Sequence, residues 1–272
     1  MNKKILITLF FVCALIGPIS MAHADEQLTP IPKIANEWTF DLTPYVWGPN
    51  VSSTLNYKGQ YLSTADVNMD KIISNLKSGG MIAGEAHYGN WGIMADLVSA
   101  TLQKTDTVSV TPAPGYNFRL GLKPTVQQTF LTGAATYNLL STLDATVDGL
   151  LGVRWISITA TINLALDGTH YSLSDSKSVS TTDPIAGFKG RYRIAGSSWY
   201  IPFYADIGSG GGTTNLTWQA MAGIGKTFEK WVDVSLVYRT LYYDMSSSKT
   251  NGAGLLQKTT FQGPQLSATF HF

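Results

Sequence analysis

Residues 264–272 read PQLSATFHF, and two kinds of side chain alternate along them without a break. Pro264, Leu266, Ala268, Phe270 and Phe272 share one face, while Gln265, Ser267, Thr269 and His271 share the other. A repeat of two is the strand repeat, because successive side chains of an extended chain point to opposite sides. Terminal residues ordinarily fray into water and are polar, yet this strand stays apolar to a final phenyl ring. Such a strand needs an apolar medium against one face and a partner along its edge.

The pattern recurs back through the chain. Trp38, Phe40, Leu42, Pro44 and Val46 alternate with Thr39, Asp41, Thr43 and Tyr45. Trp199, Ile201, Phe203, Ala205 and Ile207 are opposed by Tyr200, Tyr204 and Asp206, and Val232, Val234, Leu236 and Tyr238 by Asp233, Ser235 and Arg239. Ten segments carry the repeat: 36–47, 80–88, 91–106, 125–140, 143–165, 183–195, 199–210, 214–229, 231–247 and 259–272. Tight turns at Gly89-Asn90, Ser141-Thr142, 196–198 and Glu229-Lys230 alternate with longer connections at 48–79, 107–124, 166–182 and 248–258, with 211–213 a short exception. Short turns at one end and long loops at the other, an even strand number, and 13 tyrosines and 7 tryptophans against only 14% charged residues define the expected class. It is an all-β, transmembrane, antiparallel up-and-down β-barrel of about ten strands, with eight or twelve as alternatives, short turns in the periplasm and long extracellular loops. The last strand must pair with the first, because lipid offers nothing to an unpaired backbone, and Phe272 then joins the periplasmic aromatic girdle. A secreted β-sandwich also alternates, but gives no reason for a terminal ring.

The N-terminus agrees with this location. Lys3 and Lys4 precede an apolar run from Ile5 to Ile16, and Ala22-His23-Ala24 supplies a small-x-small cleavage pattern, so residues 1–24 are expected to be a secretory signal. Residues 25–35 are then a periplasmic lead-in to a barrel spanning 36–272. Cys13, the sole cysteine, follows Val12 inside the signal, which argues against a lipid anchor and leaves the mature chain without disulfide, thiolate metal ligand or thiol nucleophile. Loss of Lys3 and Lys4 lowers 19 basic residues to 17 against 18 acidic ones, a balance that excludes nucleic acid as a partner.

Two places depart from the pattern. Residues 48–79 contain a possible hairpin around Lys58-Gly59, then one or two helical turns from Asp70 as N-cap. This insert is expected in the lumen or over the mouth, or else adds two membrane strands. In 143–165, Leu151, Val153 and Trp155 share one face before Ile156, Ile158, Ala160 and Ile162 take the other, a phase change that predicts a bulge or an exit from the bilayer near Trp155.

Several stretches resemble a family of uncharacterised Gram-negative outer-membrane β-barrel proteins, broadly akin to small surface-antigen barrels. They are Trp38-Thr39-Phe40 with Pro44-Tyr45-Val46-Trp47, Gly84-Glu85-Ala86, Trp91-Gly92 with Asp96, Gly152-Val153-Arg154-Trp155, Asp183-Pro184 with Gly187 and Gly190-Arg191-Tyr192, Ala205-Asp206-Ile207-Gly208, Thr217-Trp218-Gln219 with Ala222-Gly223, and Tyr238-Arg239. The resemblance implies fold and outer-membrane location, and no activity. Phe270 and Phe272, with apolar residues at every second position, resemble the signal read by outer-membrane insertion machinery, which joins outer-membrane lipids and lipopolysaccharide as the expected partners.

Alternation places Asp41, Glu85, Asp96, Asp148, Asp206 and Asp233 inside the barrel with Arg154, Lys189, Arg191, Arg239 and His87. Lipid-facing Arg or Lys at mid-depth costs about 2–4 kcal/mol, so the shared phase follows whatever the function. Acids and bases that pair across a bore of this size fill it, since a water-filled channel needs about sixteen strands. The first expectation is therefore a non-enzymatic barrel with a structural or surface role; a narrow channel or small-solute transporter along the same residues is the alternative. His170 and Ser172 resemble the dyad of outer-membrane lipid A deacylases, with Asp167 or Asp175 to orient the base. Ten strands also resemble the omptin proteases, whose acids and histidine at the outer rim would correspond to Asp106, Asp167, Asp183 and Asp244 with His170; none of that family's motifs is present. Gly208–Gly212 and Gly223–Thr227 lack the helix a phosphate loop needs, and the histidines are too scattered for a metal site. No cofactor is expected.

Overall fold

The computed structural model describes residues 28–57, 60–113, 116–166, 172–194, 196–210, 214–246 and 255–272. The expected signal, 1–24, lies outside them. In chain order the elements are β1 (Trp38–Trp47), β2 (Asn50–Tyr57), β3 (Gln60–Val67), α1 (Met69–Ser74), β4 (Leu76–Tyr88), β5 (Trp91–Gln103), β6 (Asp106–Ala113), β7 (Tyr116–Ser141), β8 (Ala145–Leu166), β9 (Ser172–Arg193), β10 (Trp199–Gly208), β11 (Thr214–Glu229), β12 (Val232–Ser246) and β13 (Leu255–His271).

Ten strands close on themselves in the order β1-β4-β5-β7-β8-β9-β10-β11-β12-β13, and β13 returns to β1. The QLSATFHF stretch forms that seam: Asp41 pairs with His271 and Leu42 with Phe270, and Phe40 and Phe272 exchange backbone hydrogen bonds of 3.1 and 2.9 Å. A register line that starts at Asp41 passes Glu85, Met94, Ala134, Gly152, Ile185, Gly208, Thr217, Tyr243 and Thr259, and comes back at Ser53, 12 residues from its start. With a rise of about 3.3 Å per residue and strands about 4.8 Å apart, that stagger over ten strands sets a tilt of about 40°.

The tilt fixes the height of the apolar belt. Trp38, Tyr88, Trp91, Tyr192, Phe228, Trp231 and Phe272 are exposed around the short-turn end, with Trp231 stacked on Phe270 at 6.0–6.1 Å like Trp38 on Phe40. Trp218 and Tyr242 stack at 5.8 Å on the outer side. Phe228 and Trp218 stand ten residues apart on β11, about 33 Å along the strand, and about 25 Å of that is vertical at a 40° tilt, the height of a bilayer's apolar band. Exposed Leu42, Val46, Leu97, Leu151, Ile207, Leu236 and Leu266 occupy it.

Three expectations change. Residues 107–124 and 166–182 are not simply loops: β6, the upper half of β7 and the upper half of β9 occupy much of them. Their polarity on both faces reads as loop, but strands above a bilayer have water on both sides and still pair their backbones. Thr159–Ser178 and Thr161–Ser176 contacts of 3.0 and 3.1 Å run up this blade. The insert at 48–79 neither fills the lumen nor adds membrane strands. β2 continues the line of β1 along β13, from Trp47↔Gln265 to Asn50↔Gln262 onward, and β3 pairs with β2. The helix has Asn68 rather than Asp70 as N-cap, with Asp70 in its first turn. Finally, no bulge interrupts 155–156. The β7–β8 register runs unbroken from Tyr137↔Gly149 to Leu120↔Leu166, so Ile156 keeps the inward phase of Arg154.

Candidate functional site

The inward side chains fall into three levels. Nearest the periplasm, Lys189 pairs with Glu85, and His87 Nε2 lies 3.2 Å from Glu85. Arg191 reaches Asp233 at 2.5 Å, and His271 bridges the seam, with Nδ1 2.6 Å from Asp41 and Nε2 3.2 Å from Asp233. Among the described residues no base pairs with Asp148; Asn138 donates to it at 2.8 Å. Tyr200 lies flat beneath the Arg191 guanidinium, 4.9 Å from its ring centre. That position depends on Gly225, since a Cβ there would come within 2.3 Å of the Tyr200 ring.

At mid-height the charges are almost dry. Arg239 donates to Asp96 at 2.7 Å, to Gln219 at 2.9 Å, to Tyr45 at 3.0 Å and to Gln265 at 3.3 Å, and its guanidinium lies 4.8 Å from the Trp47 ring. The Tyr45 hydroxyl donates to Asp96 in turn. Arg154 pairs with Asp206 and donates to Thr132 and Thr217 at 3.3 Å, with side-chain exposures of 1% and 0% for the ion pair. Ions this deep persist only where paired and hydrogen-bonded.

The third level is apolar. Tyr45, Trp47, Val98, Phe130, Ile156, Leu241, Tyr243 and Phe261 pack into one buried cluster inside the bore, flanked by Val51, Met81, Ile158 and Met245. Phe130 meets Phe261 edge-on at 5.2 Å. This layer sits level with the outer girdle, because Ile156 and Tyr243 adjoin Trp155 and Tyr242 in sequence. Below it lies a cavity of 660 Å³. Its periplasmic end is lined by residues 28–35: Pro30 and Ile31 are buried, Arg191 donates to the Pro30 carbonyl at 3.4 Å, and Gly89 N–H to the Ala35 carbonyl at 2.9 Å.

All ten expected lumenal charges, Asp41, Glu85, Asp96, Asp148, Arg154, Lys189, Arg191, Asp206, Asp233 and Arg239, line the bore; eight of them form Lys or Arg ion pairs, Asp41 meets His271, and Asp148 meets Asn138. Of the expected rim acids, the described side chains of Asp183 and Asp244 lie on opposite faces of the wall. Asp183 is fully buried within the bore beside Thr181, and Asp244 faces outward toward Lys258 (3.9 Å) and Asn215 (3.2 Å). Asp106 opens β6, Asp175 is exposed on β9, and Asp167 and His170 lie outside the described residues; Ser172 begins β9. The apolar layer was missed, although its signal was present: Phe130, Ile156, Leu241 and Phe261 share the phase of Thr132, Arg154, Arg239 and Gly263.

No protein-family model and no curated protein matches the chain. Among solved structures it is similar to the outer membrane protease OmpT from Escherichia coli, with a TM-score of 0.57 at 8% identity over 90% of this chain and 100% of that one. The attachment invasion locus protein Ail of Yersinia pestis follows at a TM-score of 0.35 and 10% identity over 88% of this chain and 100% of the other. The outer membrane protein OprG from Pseudomonas aeruginosa matches at 0.30 and 10% identity, over 86% and 95%. At 8% identity the first likeness concerns the fold alone. The closed sheet, its belt and this likeness together define an integral β-barrel of the bacterial outer membrane.

Proposed function

We infer that this barrel is a non-conducting, non-enzymatic scaffold that carries β-structure beyond the outer leaflet, with a structural or surface role. The observation behind this reading is the closure of the bore at two levels: a layer of paired ions, then the packed apolar cluster around Phe130, Ile156 and Phe261. Ions crossing that cluster would have to shed water without compensation. Strands β7, β8 and β9, of 26, 22 and 22 residues, exceed the roughly 9–11 residues a membrane strand needs, so about half of each stands outside as a surface for contact. The refolded protein in a planar bilayer is expected to show no steady conductance. Steady, graded ion current would replace this reading with a narrow channel.

A further inference from the structure

The lipid-facing wall carries a charge at Lys226. The pairs Trp199↔Lys226, Lys226↔Val234 and Val234↔Ala268 lie on one register line, and Trp199 and Val234 are exposed to the belt. Gly225 and Thr227, on either side of Lys226, are buried in the bore phase opposite Tyr200 and Asp233. Lys226 therefore faces lipid. Among the described residues it is the sole Asp, Glu, Lys or Arg at an outward position between the two girdles. The cations Arg154, Lys189, Arg191 and Arg239 point inward, and each meets a carboxylate.

Among the described residues no carboxylate pairs with Lys226. Glu229 ends β11, exposed at the periplasmic turn, and Asp233 is turned into the bore, where Arg191 and His271 hold it. Lys226 stands two residues above Phe228, about 5 Å into the belt at a tilt of about 40°, and its side chain bends back to the girdle as long cationic side chains do. Its Nζ lies 5.1 Å from the centre of the Phe228 ring and 5.2 Å from that of Trp199. The ring faces attract the positive charge, but the three ammonium N–H groups still need oxygen acceptors. At girdle level those oxygens belong to lipid headgroups. Further up β11 the outward side chains shrink to Ala222 and Ala220, both exposed. Ala222 lies between Tyr238 and Phe203, and Phe203 leans away over Gly190, where a Cβ would come within 2.5 Å of its ring. This leaves a shallow furrow about 10 Å above Lys226, near the middle of a belt about 25 Å tall.

We propose that Lys226, Trp199 and Phe228 hold the phosphate of an anionic glycerophospholipid in the periplasmic leaflet, with one acyl chain along the furrow over Ala222. The Lys226 ammonium donates to the phosphate oxygens, and the two rings flank the headgroup. A headgroup of the phosphatidylglycerol type fits because it adds no cation, whereas choline brings a second cation that competes for the same phosphate and repels Lys226. The occupant is a lipid rather than free phosphate because the ammonium and the furrow both face the belt. The site lies on the outer wall and does not depend on whether the bore conducts.

The test uses the full chain refolded in detergent micelles, with phosphatidylglycerol and phosphatidylcholine of identical acyl chains titrated separately and bound lipid counted by native mass spectrometry. Phosphatidylglycerol is expected to bind more tightly than phosphatidylcholine by about ten-fold, the size of one charge-assisted hydrogen bond. Lys226→Gln, a lipid-facing change that leaves every strand pair in place, should abolish that preference by weakening phosphatidylglycerol alone, and Lys226→Arg should keep it. Ala222→Trp fills the furrow and should weaken both lipids, while sodium phosphate at the lipid's concentration should displace neither. Equal affinity of the parent chain for the two lipids, a preference indifferent to Lys226→Gln, or displacement by free phosphate overturns the proposal.

Discussion

Replacing Arg154 by Ala isolates what a dry ion pair does in this wall. Arg154 and Asp206 are 1% and 0% exposed, and neither lines the lower cavity, so the carboxylate loses its ionic partner in a site shielded from bulk water. At a separation of about 3 Å and an effective dielectric near 20, the attraction is about 6 kcal/mol; burial of the two ions consumes much of it, which leaves the intact pair close to neutral. Removal of one partner is different, because the desolvation of Asp206 remains and its attraction does not. The expected loss is about 3–5 kcal/mol, read as the shift in urea-induced unfolding of the refolded barrel, followed by tryptophan emission. The double variant Arg154→Met with Asp206→Leu should recover most of that loss. Arg193→Ala is the control: its partner Asp144 is 57% exposed at a periplasmic turn, and a solvated pair of this kind contributes about 1 kcal/mol or less. A loss below about 1 kcal/mol for Arg154→Ala, or a double variant as weak as the single one, would refute the reasoning.

Two further outcomes test the interior. Phe130→Ala combined with Phe261→Ala removes the edge-on pair at the centre of the apolar layer and should produce discrete conductance steps in a planar bilayer where the parent protein has none; a silent double variant would show that the ionic level closes the bore by itself. Gly225→Val sets a side chain against the Tyr200 ring, 2.3 Å from where its Cβ would lie, and should destabilise the barrel by about 1–3 kcal/mol, the usual result of overpacking, measured by the same urea titration.

How much was legible varies with how local the signal is. In β1 from Trp38 to Val46 and in β13 from Pro264 to His271 the side chains obey the period-two reading, down to the seam between Asp41 and His271. The charged residues could be assigned to the lumen one by one, since lipid rejects them at mid-depth. Their partners could not. Arg154 and Asp206 are 52 residues apart and Arg239 and Asp96 are 143 apart, and strand periodicity says nothing of which inward residues share a height. Ile156 shows the complementary failure: apolar residues in the lumenal phase predict a bulge or an exit from the bilayer near Trp155, and the register there has no bulge because the upper bore is itself apolar. The Ser- and Thr-rich stretches at 172–182 read as loop for a related reason, as strands that have water on both faces lose the contrast that marks a membrane strand.

The amino-acid order alone determined the strand repeat, the inward face of the charged residues, the closing pair of strands and the outer-membrane location, because each follows from side chains two residues apart and from the refusal of lipid to solvate charge or bare backbone. Only the tertiary structure decided what meets inside. The 12-residue stagger around ten strands lifts each strand relative to its neighbour, and that cumulative rise sets Arg154 beside Asp206, brings Phe130 edge-on to Phe261, and ends the β1–β4 ladder at Pro44.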